Sequence, residues 1–382
     1  MRDFVFHNPT KIIFGAGRER EIGRELAAAG HQRVLLLYGR SSARKSGLLE
    51  RVITSLEEAG VDYHEFGGVV SNPVLSHTRQ GIELARRQQV DAVLAVGGGS
   101  VLDEGKAIAI GALAQADIWE YFLGREITGA LPIFTILTLA ATGSEMNGNA
   151  VISNEESQQK YNISSSHTYP RVSILNPELT HSVDPAYTAY GAVDAISHLL
   201  EAYFTKEDKA TRLQDRLVEG LLLTIMEDAD TLQENPRDAE ARASLMWSAT
   251  LALNGLTPAG VGRYTFPNHM LEHALSAIYN IPHGAGLAVV IPAWMRWYQP
   301  RNPEQFARFG RQIFGVDDGE QGIVALREWF RRQGCPVSLA EAAIPAENIP
   351  KIAANVYGIA KLWGVTELYP QAAIEEILTL AR

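Results

Sequence analysis

One aspartate and four histidines whose types and spacing suit a metal ion lie between residues 194 and 283 of this 382-residue chain. Asp194 and His198 are four residues apart in GAVDAISHLLEAY, so a helix would present both on one face. His269 and His273 have the same spacing in NHMLEHALSAIY, and His283 follows in IPHGAG, where we expect a loop. An aspartate with three neutral imidazoles forms a mixed oxygen and nitrogen shell that suits Zn²⁺ or Fe²⁺ and leaves a position open.

The residues around these side chains favour a metal site over unrelated histidines. A single histidine is more often part of a core or a surface, but two pairs at helical spacing with mostly apolar residues between them are less easily explained in that way. A carboxylate such as Asp194 on an apolar helix face would be costly to bury without a cation. The spacing leaves open whether His269 or His273 is the ligand, because five candidates compete for four positions.

A strand that ends in three glycines predicts a phosphate-binding turn. The turn residues are Gly97, Gly98, Gly99 and Ser100. They follow the apolar segment 91–96 and precede a helical pattern from about Val101, so N–H groups at a helix start can bind phosphate oxygens. We expect Ser100 to cap this helix and Asp103 to lie in its first turn. A plain capping turn is the alternative, because the spacing differs from the G-x-G-x-x-G dinucleotide fingerprint.

The loop after segment 33–38 is basic. It reads YGRSSARK and supplies the candidate cofactor contacts Gly39, Arg40, Ser41, Ser42 and Lys45. Enzymes that use the unphosphorylated dinucleotide usually place an acidic residue near such a strand end, where it accepts from the ribose 2′-hydroxyl. We find none within reach, and the hydroxyls and cations suit a 2′-phosphate, so we expect NADP(H) to be preferred over NAD(H). A solvated basic turn is the alternative.

A third loop follows the apolar segment 131–139. The sequence LTLAATGSEMNGN places Thr138, Thr142, Ser144 and Asn147 among alanine and glycine. Small polar groups of this kind would line a cofactor without blocking it. A polar turn that binds no ligand is the alternative.

The elements that must position these residues differ between the two halves of the chain. In the first half, KIIFGAG near the N-terminus and apolar runs at 33–38, 91–96, 131–139 and 171–175 read as strands, with helical segments at 43–59 and 77–89. Fully apolar strands alternating with helices predict a parallel sheet that is covered on both faces.

The second half is predicted to be helical. Beyond the proline-rich stretch 176–188 there is almost no strand pattern. The predicted helices are 185–204, 209–229, 237–255, 267–279, 284–298, 303–315, 320–334, 348–362 and 371–381. We therefore expect an α/β domain at 1–183 and an all-α domain at 184–382, as the length of the chain also favours.

The amino-acid composition limits the kinds of binding partner and the cellular compartment expected for this protein. The net charge of −10 and the pI near 5.5 argue against nucleic acid or an anionic membrane as a partner. No segment has about 18 uninterrupted apolar residues, and the N-terminus lacks the pattern of a signal peptide. The single cysteine, Cys335, cannot form an internal disulfide, which fits a reducing cytoplasm.

Five motifs together resemble the iron-containing (group III) alcohol dehydrogenase family, and within it the NADPH-dependent aldehyde reductase and butanol dehydrogenase branch. They are PTKIIFGAG, GGGSVLDEGKA, TLAATGSEMN, GAVDAISHLLEAY and NHMLEHALSAIYNIPHGAGLAVVIPA, in family order across most of the chain. The resemblance implies a dehydroquinate synthase-like fold, in which a Rossmann-like dinucleotide-binding domain precedes a helical metal-binding catalytic domain and the active site lies in the cleft between them. It further implies NAD(P)-linked interconversion of small alcohols and aldehydes on Fe²⁺ or Zn²⁺, in a homodimer whose N-terminal strand lies near the interface.

The resemblance also assigns residues. It implies Asp194, His198, His269 and His283 as the metal ligands, with His273 close to the substrate or cofactor. For His273 a proton relay and a structural role are both open. The glycine turn is expected to hold the pyrophosphate. Further cofactor contacts expected on this basis are Asn72, Asp103, Thr138, Thr142, Asn147, Lys160 and Leu179.

Other functions compete with this one. A glycerol dehydrogenase or a maleylacetate reductase is a near alternative in the same superfamily. A dehydroquinate synthase-type lyase binds a phosphorylated polyhydroxy acid and needs many cations, whereas the segments AISHLLEAYF and HMLEHALSAIY are apolar. A cofactor-binding protein without catalysis is disfavoured because all four expected ligands are present.

Overall fold

The apolar runs of the first half form a six-stranded parallel sheet in the computed structural model, which describes residues 1–382. The strands follow the order β1-β8-β5-β4-β2-β3. Their bounds are β1 (Lys11–Phe14), β2 (Arg33–Gly39), β3 (Asp62–Val69), β4 (Ala92–Gly97), β5 (Ile133–Leu137) and β8 (Val172–Leu175). The strands β4 and β5 are buried along their whole length because helices cover both faces, so the predicted parallel sheet is confirmed.

Three strands were not predicted. The edge strand β3 mixes polar residues with glycine and pairs only with β2 in the sheet, so it lacks the apolar run of a central strand. The strands β6 (Asn149–Asn154) and β7 (Gln159–Ser164) form a separate antiparallel pair with many polar residues. None of these three strands is a continuous apolar segment, which is the pattern that predicts a buried strand.

The helices of this part connect the strands. They are α1 (Ile22–Ala28), α2 (Ser42–Lys45), α3 (Leu48–Glu58), α4 (Leu75–Arg87), α5 (Gly99–Leu113) and α6 (Ile118–Phe122). The single helix predicted at 43–59 is divided, because Gly47 adopts a positive φ of 69° between α2 and α3. Helices α1 and α3 pack on the sheet through a core that includes Ile22, Val52 and Leu56.

The second half is helical, and all nine predicted helices are present. Their bounds are α7 (Pro185–Thr205), α8 (Arg212–Glu234), α9 (Ala239–Ala252), α10 (Pro267–Tyr279), α11 (His283–Tyr298), α12 (Pro303–Phe309), α13 (Gly319–Arg332), α14 (Ile349–Leu362) and α15 (Gln371–Leu380). The segment predicted at 303–315 changes from α12 into a π-helical turn at Gly310–Phe314. None of the helices has the length and apolar character needed to cross a bilayer.

The chain forms two compact units. One is His7–Val183, and the other combines Asp184–Arg382 with Met1–Phe6. Along the chain the division falls between Val183 and Asp184, and the first six residues group with the helical unit. The backbone N–H of Arg2 donates to the Gly260 carbonyl at 2.9 Å, so the first residues pack on the helical unit.

Candidate metal centre and cofactor-binding residues

Three helices of the second unit carry the candidate metal ligands. Asp194 and His198 lie on α7 and are both buried. His269 lies in the first turn of α10, which begins at Pro267, the favoured residue for a first helical position. His283 is the first residue of α11 rather than a loop residue as predicted, because the turn after α10 is completed at Asn280, with a φ of 51°.

A glycine allows α11 to approach α7 closely. A Cβ atom at Gly284 would lie 2.1 Å from the backbone oxygen of Tyr190 on α7. Any larger residue at this position would push the start of α11 away from α7. The close approach therefore places His283 beside the ligands that α7 carries.

The three candidate imidazole ligand atoms converge on the fourth, an oxygen of the Asp194 carboxylate. Its Oδ1 atom lies 3.5 Å from Nε2 of each of His198, His269 and His283. Ligand atoms at about 2.1 Å from a tetrahedral ion are separated by about 3.4 Å, so the spacing matches a shared ion. The donor atoms of Asp194, His198 and His269 all lie within 4.8 Å of one another.

Two of these atoms are buried without a protein partner. Asp194 Oδ1 and His269 Nε2 have no hydrogen-bond partner, although both are inaccessible to solvent. Buried polar atoms are normally paired, because leaving them unpaired costs free energy. A mixed carboxylate and imidazole set with this geometry fits a divalent cation such as Zn²⁺ or Fe²⁺.

His273 lies beside this set. Its ring centroid is 6.3 Å from that of His269 and 6.0 Å from that of His283. The ring also makes an edge contact with Trp363 at 6.2 Å. The geometry therefore favours His269 as the ligand and His273 as a neighbour.

The ionisation of the site depends on burial and on close charges. Burial raises the pKa of Asp194, but the surrounding histidines outweigh it and hold that pKa well below its usual value. Burial lowers the pKa of His198 to about 3, so this imidazole is neutral and able to coordinate. Burial also lowers the pKa of His269, but the nearby carboxylates of Asp194 and Glu201 outweigh this effect and raise that pKa to about 9.

Two glutamates bond the far side of ligand histidines, and neither was predicted from the sequence. Glu201 on α7 has its Oε1 atom 3.0 Å from Nδ1 of His269, and Glu272 on α10 bonds Nδ1 of His283. Both glutamate side chains are fully buried. Each lies one helical turn from a ligand histidine, and this spacing is the only sequence signal they carry.

The glycine turn of the first unit lies at the carboxyl edge of the sheet. β4 ends at Gly97, and α5 begins at Gly99, two residues before the predicted start. The first N–H groups of a helix have no intrahelical partner, so this turn offers donors to an anion. The predicted capping role of Ser100 is wrong, because the cap position is Gly98 and no side chain caps the helix.

Asp103 and an unpredicted lysine hold the neighbouring loop. Asp103 lies in the second turn of α5 rather than the first, and it accepts from Ser144 Oγ at 2.6 Å and from the Val151 N–H at 3.0 Å. Lys106 is fully buried, and its Nζ donates to Ser144 Oγ at 2.7 Å and to the Asn147 carbonyl at 2.9 Å. Burial lowers the pKa of Lys106 to about 8. Helix α5 is thereby fastened to the loop that follows β5.

The loop itself is held by its own polar groups. The Thr138 N–H donates to the Gly97 carbonyl at 3.0 Å, which ties the ends of β5 and β4 together. Thr142 Oγ1 accepts from the Ser144 N–H at 3.2 Å, and Asn147 Nδ2 donates to the Gly143 carbonyl at 2.7 Å. The structure thus places Thr138 next to the glycine turn. The Asn147 side chain instead makes a hydrogen bond within the loop.

Two further predicted residues lie together. Lys160 Nζ on β7 donates to Asn72 Oδ1 at 2.9 Å, and both residues are buried. Asn72 follows β3 and has a positive φ of 55°, a conformation that asparagine tolerates well. Leu179 is instead partly buried against the apolar core under the sheet.

The predicted absence of an acidic residue near the basic loop is wrong. Glu65 on β3 has its Oε2 atom 2.8 Å from the Tyr38 hydroxyl and 2.5 Å from Nη2 of Arg44. The pairing of β2 with β3 brings this carboxylate to the loop, so sequence distance hid it. One of the three cations is therefore paired, while Arg40 and Lys45 are exposed.

Comparison with known proteins identifies the family. Residues 9–177 match the family described as iron-containing alcohol dehydrogenase, and residues 188–381 match the C-terminal family of Fe-containing alcohol dehydrogenases. The chain belongs to the iron-containing alcohol dehydrogenase family. The predicted fold class and the predicted resemblance are thus both confirmed.

Relatives within the iron-containing alcohol dehydrogenases cover nearly the whole chain. A probable NADH-dependent butanol dehydrogenase 1 of Bacillus subtilis is 40% identical over 92% of this chain and 93% of its own length. The NADPH-dependent aldehyde reductase YqhD of Escherichia coli is 36% identical over 92% of each chain. The crystal structure of an NADH-dependent butanol dehydrogenase A from Thermotoga maritima has a TM-score of 0.97 and 46% identity, and covers 100% of this chain and 99% of its own. The chain is an NAD(P)-dependent oxidoreductase of the alcohol dehydrogenase class.

Proposed function

We propose that this protein is a metal-dependent, NADP(H)-linked enzyme that interconverts small primary alcohols and aldehydes. The observation that carries the proposal is the convergence of three imidazole Nε2 atoms at 3.5 Å from one buried carboxylate oxygen. The names of the relatives, butanol dehydrogenase and aldehyde reductase, support the substrate class.

In this proposal the ligands are Asp194, His198, His269 and His283. When bound, the cation supplies Lewis-acid chemistry to the substrate oxygen, and the nicotinamide carries the hydride. The Asp194 carboxylate balances part of the charge of the ion in a buried site. The residues that follow the ligands in sequence on α7 and α10, such as Leu199 and Met270, are apolar and buried, and such segments suit a small alcohol or aldehyde better than a polyanion.

The cofactor is assigned to the carboxyl edge of the sheet, where parallel sheets bind ligands. The Gly97–Ser100 turn would hold the pyrophosphate, and Thr138, Thr142 and Asn147 would shape the nicotinamide side. The Asn72 and Lys160 pair would complete the site, with Leu179 as a flanking contact. Asp103 contributes by holding the loop through Ser144.

A preference for NADP(H) is supported by the loop after β2. Arg40 and Lys45 are exposed there, together with the hydroxyls of Ser41 and Ser42, and Gly39 ends the strand. Because Arg44 is paired with Glu65, the 2′-phosphate would be held mainly by Arg40 and Lys45. Similar proteins include both an NADH-dependent and an NADPH-dependent enzyme, so they do not favour either cofactor. The preference for NADP(H) is supported only by the residues of this loop.

Metal removal and two alanine variants test the metal site. Chelation should abolish aldehyde-dependent NADPH oxidation, and Fe²⁺ or Zn²⁺ should restore it, with butanal as the probe. His269→Ala should abolish metal retention measured by mass spectrometry, whereas His273→Ala should keep the metal and slow turnover. Full activity after chelation would overturn the metal dependence, and loss of metal from His273→Ala alone would overturn the ligand set.

Comparison of the two cofactors tests the preference. The kcat/KM for NADPH should exceed that for NADH, and Arg40→Ala should reduce the ratio. A ratio below one in the unaltered protein would overturn the preference but leave the metal site untouched.

We also propose a homodimer. The N-terminal residues Phe4, Val5 and Phe6 are 51%, 96% and 44% exposed, which is unusual for three apolar side chains in sequence. Light scattering on the purified protein should give twice the mass of 41.8 kDa. A monomeric mass would contradict the proposal.

A further inference from the structure

Two buried glutamates, one on α7 and one on α10, lie behind histidines of the proposed metal site. Glu201 Oε1 lies 3.0 Å from His269 Nδ1, and Glu272 Oε2 bonds His283 Nδ1. These ring nitrogens are the ones that point away from Asp194, because Nε2 of each ring faces it. Each imidazole therefore has a carboxylate on one side and the candidate metal position on the other.

We infer that Glu201 and Glu272 are positioning residues that fix the tautomer and orientation of His269 and His283 for metal binding. An imidazole that donates its Nδ1–H to a carboxylate presents the Nε2 lone pair to a cation, and the carboxylate increases the basicity of that lone pair. This inference rests on the proposed metal site.

Glu201 is itself held rigidly. The same Oε1 atom accepts from the backbone N–H groups of Asn268 at 3.0 Å and His269 at 3.1 Å. Glu201 therefore caps the start of α10 from α7, at the end of the helix where a negative charge is favourable. One side chain thus joins the two helices and orients the ring of His269.

The side chain of Glu272, on α10, packs against α11. It accepts from Ser276 Oγ as well as from His283. A Cβ atom at Gly286 would lie 2.9 Å from Cγ of Glu272 and 3.0 Å from its Oε1, so the missing side chain at position 286 makes room for the carboxylate. The position of Glu272 is thus set by packing from α11 as well as by hydrogen bonds.

The third imidazole lacks this arrangement. Nδ1 of His198 is buried and has no hydrogen-bond partner. The ring of His198 is instead stacked on that of His269, with a centroid distance of 4.7 Å and an interplanar angle of 14°. The two glutamates therefore act on two of the three imidazoles, and the loss of either should leave a partial site.

Metal affinity of the purified full-length protein tests the inference. The probe is Co²⁺ added to protein depleted of metal, with the visible absorption bands reporting the coordination geometry and a competing chelator reporting the Kd. Glu201→Gln and Glu272→Gln should each raise the Kd by about 10–100-fold, the range found when partners of this kind are altered. Both variants keep an amide oxygen that can accept the same hydrogen bonds, so the change is in charge rather than in size.

A matched control is available in the first unit. Glu104 on α5 is also fully buried and bonds a histidine Nδ1, that of His77, at 2.5 Å. Glu104→Gln makes the same chemical change on a comparable pair that contains no predicted metal ligand. It should leave the Kd for Co²⁺ unchanged, which separates a metal effect from a general effect of altering a buried glutamate.

Gly286→Ala provides a variant that changes no charge. Its methyl group would displace Glu272 while favouring the helix, so a weaker Co²⁺ affinity without loss of thermal stability would support the inference. Unchanged Kd values and spectra in folded Glu201→Gln, Glu272→Gln and Gly286→Ala would overturn it. If either glutamine variant fails to fold, the remaining variants decide the question.

The two levels of the proposal fail differently. Unaltered protein that binds no Co²⁺ would overturn the proposed metal site and with it the role of the glutamates. If the unaltered protein binds Co²⁺ and Glu201→Gln and Glu272→Gln bind it equally tightly, only the role of the two glutamates would be overturned.

Discussion

Replacing Lys106 with methionine removes a buried cation that fastens α5 to the loop after β5. The ammonium group has no solvent exposure and four acceptors, namely Ser144 Oγ at 2.7 Å, the Asn147 carbonyl at 2.9 Å, Asn147 Oδ1 at 3.3 Å and the Asn149 carbonyl at 2.7 Å. Ser144 in turn donates to Asp103, so a hydroxyl bridges a buried cation and a buried anion. Methionine keeps most of the volume and removes every one of these hydrogen bonds.

The expected cost is large because the partners stay buried. Breaking a buried charged pair by removing one member costs about 3–5 kcal/mol. In a unit of this size each kcal/mol lowers the midpoint of thermal unfolding by about 2–4 °C. We therefore expect Lys106→Met to lower the midpoint by roughly 6–20 °C in calorimetry at pH 7. Asp103→Asn combined with Lys106→Met should cost less than the sum of the single changes, by about 0.5–3 kcal/mol.

Two controls make this prediction refutable. Lys11→Met is the same change at an exposed ion pair with Glu25 and should cost less than about 1 kcal/mol. In addition, burial lowers the pKa of Lys106 to about 8, so the folded state releases this proton before the unfolded chain does. Stability should then rise with pH between about 8 and 10.4 through this group, and Lys106→Met should remove that part of the rise. Equal effects of Lys106→Met and Lys11→Met would show that the reasoning is wrong.

The remaining predictions concern two carboxylates of the first unit. Glu65→Gln should release Arg44 and raise the kcat/KM ratio of NADPH to NADH, by up to about fivefold, since an exposed ion pair is worth about 1 kcal/mol at most; an unchanged ratio in steady-state kinetics would contradict it. The hydrogen bond to Glu104 raises the pKa of His77, so NMR titration should show His77 still protonated above pH 6.5. The contribution of the protonated His77 to the free energy of unfolding is complete below pH 6.5, and it is lost as the pH rises through the pKa of His77 in the folded protein. Glu104→Gln should lower that pKa, and an unaltered titration would refute the pairing.

Much of the fold could be predicted from the sequence because its central elements are apolar throughout. The runs AVLAVG and IFTIL can only be buried on both faces, so each identifies a strand without knowledge of its neighbours. The edge strand β3 carries polar residues, because its position requires less burial, and its sequence resembles a loop. The contact between Glu65 and Arg44 depends on the pairing of β2 with β3, so an unrecognised strand also meant an unrecognised carboxylate.

The proposed metal ligands could be predicted from spacing only in part, for a related reason. Helical spacing places Asp194 and His198 on one face, but it does the same for His269 and His273. The family resemblance favours His269 over His273, and the structure gives a physical reason, since Asp194 Oδ1 on α7 lies 3.5 Å from Nε2 of His269. The spacing of residues along one helix does not show which side chains a second helix places beside it.

The outer carboxylates show where further sequence signal lies. On α7, Asp194, His198 and Glu201 follow at intervals of four and three, so a single helix face carries two proposed metal ligands and a carboxylate that contacts another helix. On α10, Glu272 is three residues after His269 but bonds His283 on α11. Each glutamate therefore contacts a histidine of a different helix, so neither contact can be found from spacing within one helix. A search for metal sites in helical chains should look for a buried glutamate one turn from a ligand histidine and expect its partner on the neighbouring helix.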